Sequence, residues 1–394
     1  MQKHIEQAEQ HLLHVYKRFP VVWERGDGCH LFDIDGKKYL DFAAGIGVCA
    51  LGHNNAALNA ALTAQLGKIT HTSNLYYNLP AIRAAERLCA QAGMERVFFT
   101  NSGAEAVEGA LKAARKYAYL RDGRSGHDII AFERSFHGRT FGALAVTGTT
   151  AYRTPFEPLP GPVRFADFND FASVRALVSD DTCAIILETV QGEGGIYPAE
   201  REFLQKVRAL CDEKNILLIL DEIQCGIGRT GTMFAYEQYG VRPDILTLAK
   251  ALGGGIPVGA FLLNKKVAAA SLVPGDHGST YGGNPLATAA INAVLDQIEA
   301  TGLIDRVGQS ALHLENCLDR LTAKHDIIIE RRGLGLMQAL ECAEPVAAIL
   351  GKALGCGLVL ISAGPNVIRF LPPLTISPAQ IDEMYAILDK CIAP

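Results

Sequence analysis

The fold class is decided by Ile216-Leu-Leu-Ile-Leu-Asp221, in which five consecutive apolar residues end at a carboxylate. An unbroken apolar run of this length is typical of a strand buried on both faces, because a half-buried strand alternates apolar and polar residues. Similar runs recur between helical periods over residues 55–300. The pattern predicts an α/β protein with a mostly parallel central sheet covered by helices on both faces. The predicted strands are 97–100, 128–132, 183–187, 216–220, 245–248 and 258–263, and the predicted helices are 104–120, 200–213 and 284–300.

Outside this region the sequence predicts a second, smaller domain. The N-terminal part has the pattern of a helix followed by strands with tight turns, and the C-terminal part combines long helices with short strands. The predicted elements are an amphipathic helix at 3–17, hairpin turns at 26–28 and 35–36, two long helices after residue 300, strands near 327–330 and 367–370, and a closing helix at 378–391. We therefore predict a large domain over residues 50–285 and a smaller α+β domain formed by residues 1–49 and 286–394.

The composition argues against several classes of protein. The 394 residues carry 37 Lys and Arg against 42 Asp and Glu, a net charge of −5, whereas a nucleic-acid partner calls for clustered positive charge. No apolar run approaches the roughly 18 residues of a membrane helix. The ten cysteines contain no C-x-x-C pair, which predicts that there is no zinc or redox site. With a polar, acidic N-terminus, the sequence predicts a cytoplasmic protein without a nucleic-acid or membrane partner.

Glycine accounts for 39 of the 394 residues, about a tenth, whereas average proteins contain roughly 7%. Many of these glycines lie beside polar residues. One such cluster, Phe99-Thr-Asn-Ser-Gly-Ala-Glu105, joins a predicted strand to a predicted helix. Free backbone N–H groups at a helix start of this kind can bind a phosphate. The same residues also fit a capping box between Ser102 and Glu105, so both interpretations stay open.

A second cluster, Leu248-Ala-Lys-Ala-Leu-Gly-Gly-Gly255, has a lysine at the end of a buried type of strand. Burial would lower the pKa of Lys250, and Schiff-base chemistry requires the neutral amine. Asp221 also follows a strand, at the edge of the sheet where ligands bind in open α/β proteins. The alternatives are a solvated surface lysine and an aspartate that caps a turn.

The stretch Gly226-Ile-Gly-Arg-Thr-Gly231 matches the dinucleotide fingerprint G-x-G-x-x-G, which would indicate a nucleotide-dependent oxidoreductase. The fingerprint must follow a strand directly and open a helix. Here residues 221–225 intervene and no helical period follows. We interpret the match as accidental.

Two further clusters complete a set of chemical groups. The stretches Ser135-Phe-His-Gly-Arg-Thr140 and His277-Gly-Ser-Thr-Tyr-Gly-Gly-Asn284 contribute an aromatic ring, an arginine and hydroxyl groups, although each alone would be an ordinary loop. A phosphate cradle, a strand-end carboxylate, a reactive lysine and a stacking face are what pyridoxal phosphate needs. Arginine suits a substrate carboxylate because its donors form a fork.

The sequence resembles the class III pyridoxal-phosphate aminotransferases of fold type I, most closely the acetylornithine enzymes. The resemblance extends from Leu40-Asp-Phe-Ala-Ala-Gly-Ile-Gly47 to Val367-Ile-Arg-Phe-Leu-Pro-Pro-Leu374. It implies that Lys250 binds the cofactor covalently and that Asp221 contacts its pyridine nitrogen. The other implied contacts are Ser102, Gly103 and Ala104 at the phosphate, Thr280 at the phosphate from the partner subunit of a homodimer, Gln224 at the phenolic oxygen and Phe136 on the ring.

The resemblance also implies the substrates. Arg139 would bind a substrate carboxylate, and Ser279 would line the site. Arg369 would bind the α-carboxylate of glutamate, and would pair with Glu193 while the other substrate is bound. The implied reaction, a step of arginine biosynthesis, moves the δ-amine of N-acetylornithine to 2-oxoglutarate and gives N-acetylglutamate 5-semialdehyde and glutamate. The alternative donors are N-succinyldiaminopimelate or succinylornithine, then ornithine or 4-aminobutyrate.

Overall fold

A seven-stranded sheet forms the centre of the computed structural model, which describes residues 1–393. The strands, numbered along the chain, are β1 (Trp23–Asp27), β2 (His30–Asp33), β3 (Lys38–Asp41), β4 (Arg96–Thr100), β5 (Asp128–Phe132), β6 (Val163–Ala166), β7 (Thr182–Glu188), β8 (Val190–Gln191), β9 (Tyr197–Pro198), β10 (Leu217–Asp221), β11 (Ile245–Leu248), β12 (Gly259–Leu263), β13 (Ile328–Leu334), β14 (Met337–Cys342), β15 (Leu358–Val359), β16 (Ile361–Ser362) and β17 (Val367–Phe370). The order across the large sheet is β4-β12-β11-β10-β7-β5-β6. All neighbours are parallel except β12, which is antiparallel to β11 and β4.

Helices cover this sheet and form much of the remaining structure. They are α1 (Gln2–His11), α2 (Ala44–Gly47), α3 (Ala56–Leu66), α4 (Leu79–Ala92), α5 (Gly103–Asp122), α6 (Phe141–Ala145), α7 (Thr150–Arg153), α8 (Phe171–Leu177), α9 (Arg201–Lys214), α10 (Lys265–Ala269), α11 (Pro285–Ala300), α12 (Leu303–Lys324), α13 (Ala347–Gly355) and α14 (Pro378–Ile392). Within residues 1–393, no helix has the length and apolar character needed to span a bilayer.

The central strands are apolar throughout because both faces of the sheet are buried. In β10, Leu218 and Leu220 pack into one hydrophobic core, and Leu217 and Ile219 pack into the core on the opposite face. Successive side chains of a strand point to opposite faces, so a strand covered on both sides has no polar positions. The mostly parallel, doubly covered sheet predicted from the sequence is therefore confirmed.

All six predicted strands form, and all belong to the large sheet. Two have the predicted bounds and the other four differ by one residue at one or both ends. Residues Val163–Ala166 form an edge strand that the sequence did not predict, because Arg164 interrupts its apolar pattern. The three predicted helices correspond to α5, α9 and α11, and their ends agree with the predicted ones to within two residues.

The predictions for the two ends of the chain need correction. The first helix ends at His11 and not at residue 17, and none of its residues is buried, so no packing extends it. After residue 300 one long helix, α12, forms instead of two, and β14 is an additional strand. The predicted closing helix and the strand at 367–370 are confirmed.

Three smaller sheets form besides the large one in the described part of the chain, of which one is the two-stranded pair of β8 and β9. Strands β13, β14, β17 and β16 form an antiparallel sheet, which we call the small sheet. Strands β1, β2 and β3 form an antiparallel meander. Strand β15 pairs in parallel with β3, so the N-terminal segment joins the C-terminal third of the chain.

Candidate active site

A cavity of about 450 Å³ opens where the parallel strands of the large sheet end. Asp221 is the last residue of β10, Glu188 is the last residue of β7, and the two are partners in the register of the sheet. Lys250 follows β11 by two residues. The cavity lining brings together eight of the predicted site residues, namely Ser102, Gly103, Ala104, Phe136, Arg139, Asp221, Gln224 and Lys250.

The carboxylate of Asp221 is buried and held by two hydrogen bonds. Its Oδ2 lies 2.7 Å from Nδ1 of His137, and its Oδ1 accepts from the backbone N–H of Ile223 at 3.1 Å. His137 is itself buried. Two partners on different segments fix the orientation of this carboxylate before any ligand arrives, which is the preorganisation that binding sites use.

The amine of Lys250 lies among charges at the base of the cavity. Burial lowers its pKa below the ordinary value for lysine, and Arg369 acts in the same direction. The carboxylates of Glu193, Glu188 and Asp221 oppose the shift but do not cancel it. The backbone of Lys250 has a φ of 47°, in the left-handed region that few residues other than glycine adopt. A lowered pKa favours the neutral amine that a nucleophile requires.

The start of α5 combines both sequence interpretations. The hydroxyl of Ser102 accepts from the backbone N–H of Glu105 at 3.3 Å, so the cap forms. The Glu105 carboxylate bonds back to the backbone and side-chain N–H groups of Asn101, each at 2.9 Å. The N–H groups of Gly103 and Ala104 have no hydrogen-bond partner in residues 1–393 and lie at the cavity, so they are available to an anion.

Space at this helix start is restricted. A Cβ atom at Gly103 would lie 2.8 Å from the side chain of Ile223, and one at Gly138 would lie 2.9 Å from that of Ala104. Side chains at these positions would therefore crowd the walls beside the free N–H groups. Backbone donors, a fixed carboxylate and an amine of lowered pKa together fit the phosphate, ring nitrogen and aldehyde of pyridoxal phosphate.

An ion pair between the buried Arg369 and the half-buried Glu193 lies beside this cavity. Nη1 of Arg369 is 2.6 Å from Oε1 of Glu193, and Nη2 is 3.4 Å from Oε2. Burial tends to raise the pKa of Glu193, but the guanidinium outweighs it and the pKa is lowered. Gln224 touches both partners, since its Nε2 donates to Glu193 at 3.4 Å and its Oε1 accepts from Arg369 at 3.2 Å.

The remaining predicted residues lie nearer the surface. The guanidinium of Arg139 is exposed and stacks 3.7 Å from the centre of the Tyr152 ring, and lies 5.4 Å from that of Phe136. The Ser279 hydroxyl accepts from the side chain of Asn101 at 3.2 Å. Thr280 is exposed and does not line the cavity.

Comparison with known proteins gives the family. A family model described as aminotransferase class-III matches residues 13–392, which is nearly the whole chain. The chain belongs to this family. It is therefore a transaminase of fold type I that depends on pyridoxal phosphate.

Three relatives illustrate the similarity. An acetylornithine aminotransferase of Gloeobacter violaceus is 49% identical over 393 residues, covering 99% of this chain and 98% of the relative. A succinylornithine transaminase of Salmonella paratyphi A is 46% identical over 380 residues, covering 95% and 93%. The structure of an ornithine aminotransferase from Toxoplasma gondii, with partial occupancy of pyridoxal phosphate at its active site, has a TM-score of 0.96 and 33% identity, covering 99% and 93%.

The sequence analysis of this class-III aminotransferase did not identify three residues that lie at the cavity. Glu188 ends β7 as Asp221 ends β10, so the strand-end rule would have found it. Burial, reinforced by the charges of Asp221 and Glu193, raises its pKa well above the ordinary value. His137 adjoins Phe136 in a cluster that was recognised for other residues. Asn101 lines the cavity and lies one residue before the helix cap.

A fourth missed residue, Glu222, supports the turn after Asp221. Its carboxyl group is buried and accepts from the backbone N–H groups of Ala235 and Tyr236, both at 2.7 Å, and from the Thr189 hydroxyl at 3.1 Å. Burial outweighs these donors and raises the pKa of Glu222 to about 7.

The stretch 226–231 of the aminotransferase forms turns, and no helix begins there. Its Arg229 is fully buried and donates to the carbonyl oxygens of Leu336 at 3.2 Å and Pro372 at 2.5 Å. Burial lowers the pKa of this arginine to about 9. The glycine motif therefore surrounds a side chain that ties this loop to the small sheet, and the dinucleotide interpretation has no structural basis.

Proposed function

We propose that this aminotransferase moves the δ-amino group of N-acetylornithine to 2-oxoglutarate, giving N-acetylglutamate 5-semialdehyde and glutamate in arginine biosynthesis. The observation that carries the proposal is the ion pair of Arg369 with Glu193 next to Lys250, with the exposed Arg139 also lining the cavity. Arg139 is accessible to an incoming substrate, whereas Arg369 is paired with Glu193 until glutamate binds. The relative from Gloeobacter violaceus, at 49% identity, supports the same reaction.

The pairing of Arg369 with Glu193 has a physical reason. N-acetylornithine presents an uncharged chain next to its reacting amine, whereas glutamate presents its α-carboxylate there. A buried arginine without a partner would be costly, so Glu193 neutralises Arg369 while the acylated diamine is bound. The α-carboxylate of glutamate then takes the place of Glu193. Arg139 binds the distal carboxylate that each substrate carries, and Ser279 lines the site beside it.

The chain's own residues hold the cofactor in this proposal. Ser102, Gly103 and Ala104 bind the phosphate, and Asp221 keeps the pyridine nitrogen protonated. The remaining contacts are Phe136 on the ring, Gln224 at the phenolic oxygen, Lys250 at the aldehyde and Thr280 of a second subunit at the phosphate. Bound pyridoxal phosphate supplies the electron sink for breaking the C–H bond beside the transferred amine.

Lys250 moves the proton of this C–H bond. Burial lowers the pKa of its Nζ, which favours the neutral amine. This amine would accept the proton from the substrate carbon as a general base and would deliver it as a general acid to C4′ of the cofactor. The loop that carries Lys250 also lines the cavity, which limits the access of water.

A homodimer with a shared site is part of the proposal. Leu75, Tyr77 and Leu79 are 87%, 94% and 81% exposed, and large apolar patches of this kind mark interfaces. The patch adjoins the loop of Thr280, because the side chain of Asn74 donates to the carbonyl of Ser279 at 2.9 Å.

We also propose a cytoplasmic location.

We propose the predicted domain division as well, with a large domain over residues 50–285 and a small domain of 1–49 and 286–394. The parallel pairing of β15 with β3 supports it.

The test is a steady-state comparison of amino donors at saturating 2-oxoglutarate. The donors are N-acetylornithine, succinylornithine, N-succinyldiaminopimelate, ornithine and 4-aminobutyrate. We expect the highest kcat/KM for N-acetylornithine. A tenfold preference for a succinylated donor would replace the proposal with the second candidate, which the Salmonella paratyphi A relative at 46% identity favours.

A further inference from the structure

We propose that the small sheet's two long helices hold a Zn²⁺ ion at His313, Cys317 and Asp382, away from the cavity. His313 and Cys317 are four residues apart on α12, so they share one face of the helix. Asp382 lies on α14, which packs against α12. The absence of a C-x-x-C pair predicted no zinc site, but that rule detects two thiols close in sequence and misses ligands from two helices.

The three ligand atoms have the right spacing for a metal ion. Nε2 of His313 is 2.8 Å from Oδ1 of Asp382, and Sγ of Cys317 is 4.0 Å from the same nitrogen and 3.9 Å from the same oxygen. The point equidistant from the corners of this triangle is about 2.1 Å from each. Zinc bonds measure about 2.0–2.2 Å to nitrogen and oxygen and about 2.3 Å to sulfur. A tetrahedral ion with these bonds separates the nitrogen and oxygen by about 3.4 Å and the sulfur from either by about 3.6 Å, so each of the three distances has to change by roughly half an ångström.

The chemistry and access of the cluster favour the same ion. A thiolate, an imidazole and a carboxylate form a ligand set typical of zinc, and a water would complete the tetrahedron. The side chains of His313 and Asp382 are 36% and 61% exposed, so an ion reaches them from solvent. Binding replaces the thiol proton of Cys317 by the metal, and this proton passes to the buffer.

The same helix pair provides a natural control. His325, which follows α12, lies 2.8 Å from Asp389 on α14, the same separation as between His313 and Asp382. In place of a thiol, Lys324 contacts this second carboxylate at 2.6 Å. A positive charge in the third position repels a cation, so we expect no metal there.

A Zn²⁺ ion bound by His313, Cys317 and Asp382 would link α12 to α14, the closing helix of the chain. Because it binds the folded state, it would raise thermal stability in proportion to the logarithm of its free concentration.

The test uses the holoenzyme, purified with chelator that is then removed. Titration calorimetry with Zn²⁺ should detect one strong equivalent per chain in the wild type, His325→Ala and Cys356→Ser, where Cys356 is an exposed cysteine elsewhere. In His313→Ala and Cys317→Ala we expect affinity to fall at least about tenfold, which is the least that loss of even a supporting residue costs. Enthalpies in buffers of different ionisation heat should report the released proton.

Co²⁺ provides a second measurement, on the wild type and on Cys317→Ala. It should give ligand-field bands of a tetrahedral site at wavelengths longer than those of the cofactor, with a thiolate charge-transfer band that Cys317→Ala removes. The proposal is overturned if no strong equivalent binds, if all variants bind Zn²⁺ alike, or if cobalt shows no thiolate band. Transaminase activity should be unchanged throughout, so failure here leaves the proposed function unaffected.

Discussion

The proposed cofactor side and the proposed substrate side of the cavity are held in different ways. On the cofactor side, Asp221 ends β10 and Lys250 comes two residues after the adjacent β11, and the carboxylate is fixed by His137 and a backbone N–H. On the substrate side, Arg369 comes from the small sheet and its main partner is the side chain of Glu193. The first side is fixed by strand ends and hydrogen bonds within the large domain's segments, and the second depends mainly on an ion pair between side chains.

The difference matches what each side has to do in a transaminase. A group that stays bound through both half-reactions benefits from rigid, preorganised partners. Two substrates that alternate in one site need a charge that can change partners without being left bare. The mutations below test this contrast, with the effects on activity given from largest to smallest and an effect on stability last.

Removal of the amine from the fixed side should have the largest effect. We expect Lys250→Ala to lower the rate of multiple turnover by at least about 10⁴-fold, because both covalent attachment and proton transfer are lost. The measurement is steady-state transamination with circular dichroism as a check of folding. Lys265→Ala, at an exposed lysine, is the matched control and should keep wild-type activity. Normal turnover by Lys250→Ala would exclude the assigned role.

The exchangeable side should respond differently to each substrate. Arg369→Lys keeps the charge but loses the fork that suits a carboxylate. We expect KM for glutamate to rise about 30-fold, equivalent to ~2 kcal/mol, and KM for N-acetylornithine to change less than about threefold. Arg139→Lys should raise both KM values, since both substrates carry a distal carboxylate. Equal effects of the two mutations on both substrates would contradict the partner exchange.

The last prediction concerns the stability of the fixed side, where the expected change is in the free energy of unfolding and not in activity. The pKa of Glu222 is raised to about 7 in the folded chain, from an ordinary value of 4.5, so between these pH values the folded state binds one more proton than the unfolded state. The free energy of unfolding should fall by ~3 kcal/mol as the pH rises from about 4.5 to about 7.

Urea unfolding at several pH values measures this slope. Glu222→Gln should remove this pH dependence, because the amide does not titrate. It should also lower the free energy of unfolding, because the amide NH₂ would face a backbone N–H that needs an acceptor. The exposed neighbour offers a control, and Glu237→Gln should keep the slope. An unchanged pH dependence in Glu222→Gln would assign the effect to another group.

The fixed side was largely predictable from sequence, and the reason is local. An apolar run such as 216–220 predicts a strand buried on both faces, and parallel strands bring their carboxyl ends to one edge. Asp221 and Lys250 follow from that rule, and Glu188 would have followed had it been applied to β7. The capping pattern of Ser102 likewise predicted the start of α5.

The contacts between distant segments could not be predicted in this way. His137 reaches Asp221 across 84 positions of the chain, and Arg369 reaches Gln224 across 145. Such pairs depend on how the elements pack, which periodicity does not encode. The burial of Arg229 is a similar case, because its acceptors are carbonyl oxygens that have no sequence signature.

The reversed direction of β12 has a consequence for the lysine. Because β12 is antiparallel to β11, the chain returns through residues 249–258 to the same edge of the sheet, without the long crossover that a parallel neighbour would need. Lys250 thus lies in a short loop whose two ends are both hydrogen-bonded into the sheet beside the cavity. Its backbone cannot swing away unless ladder bonds break, so the conformational entropy of ordering it is lost during folding and not during each catalytic cycle.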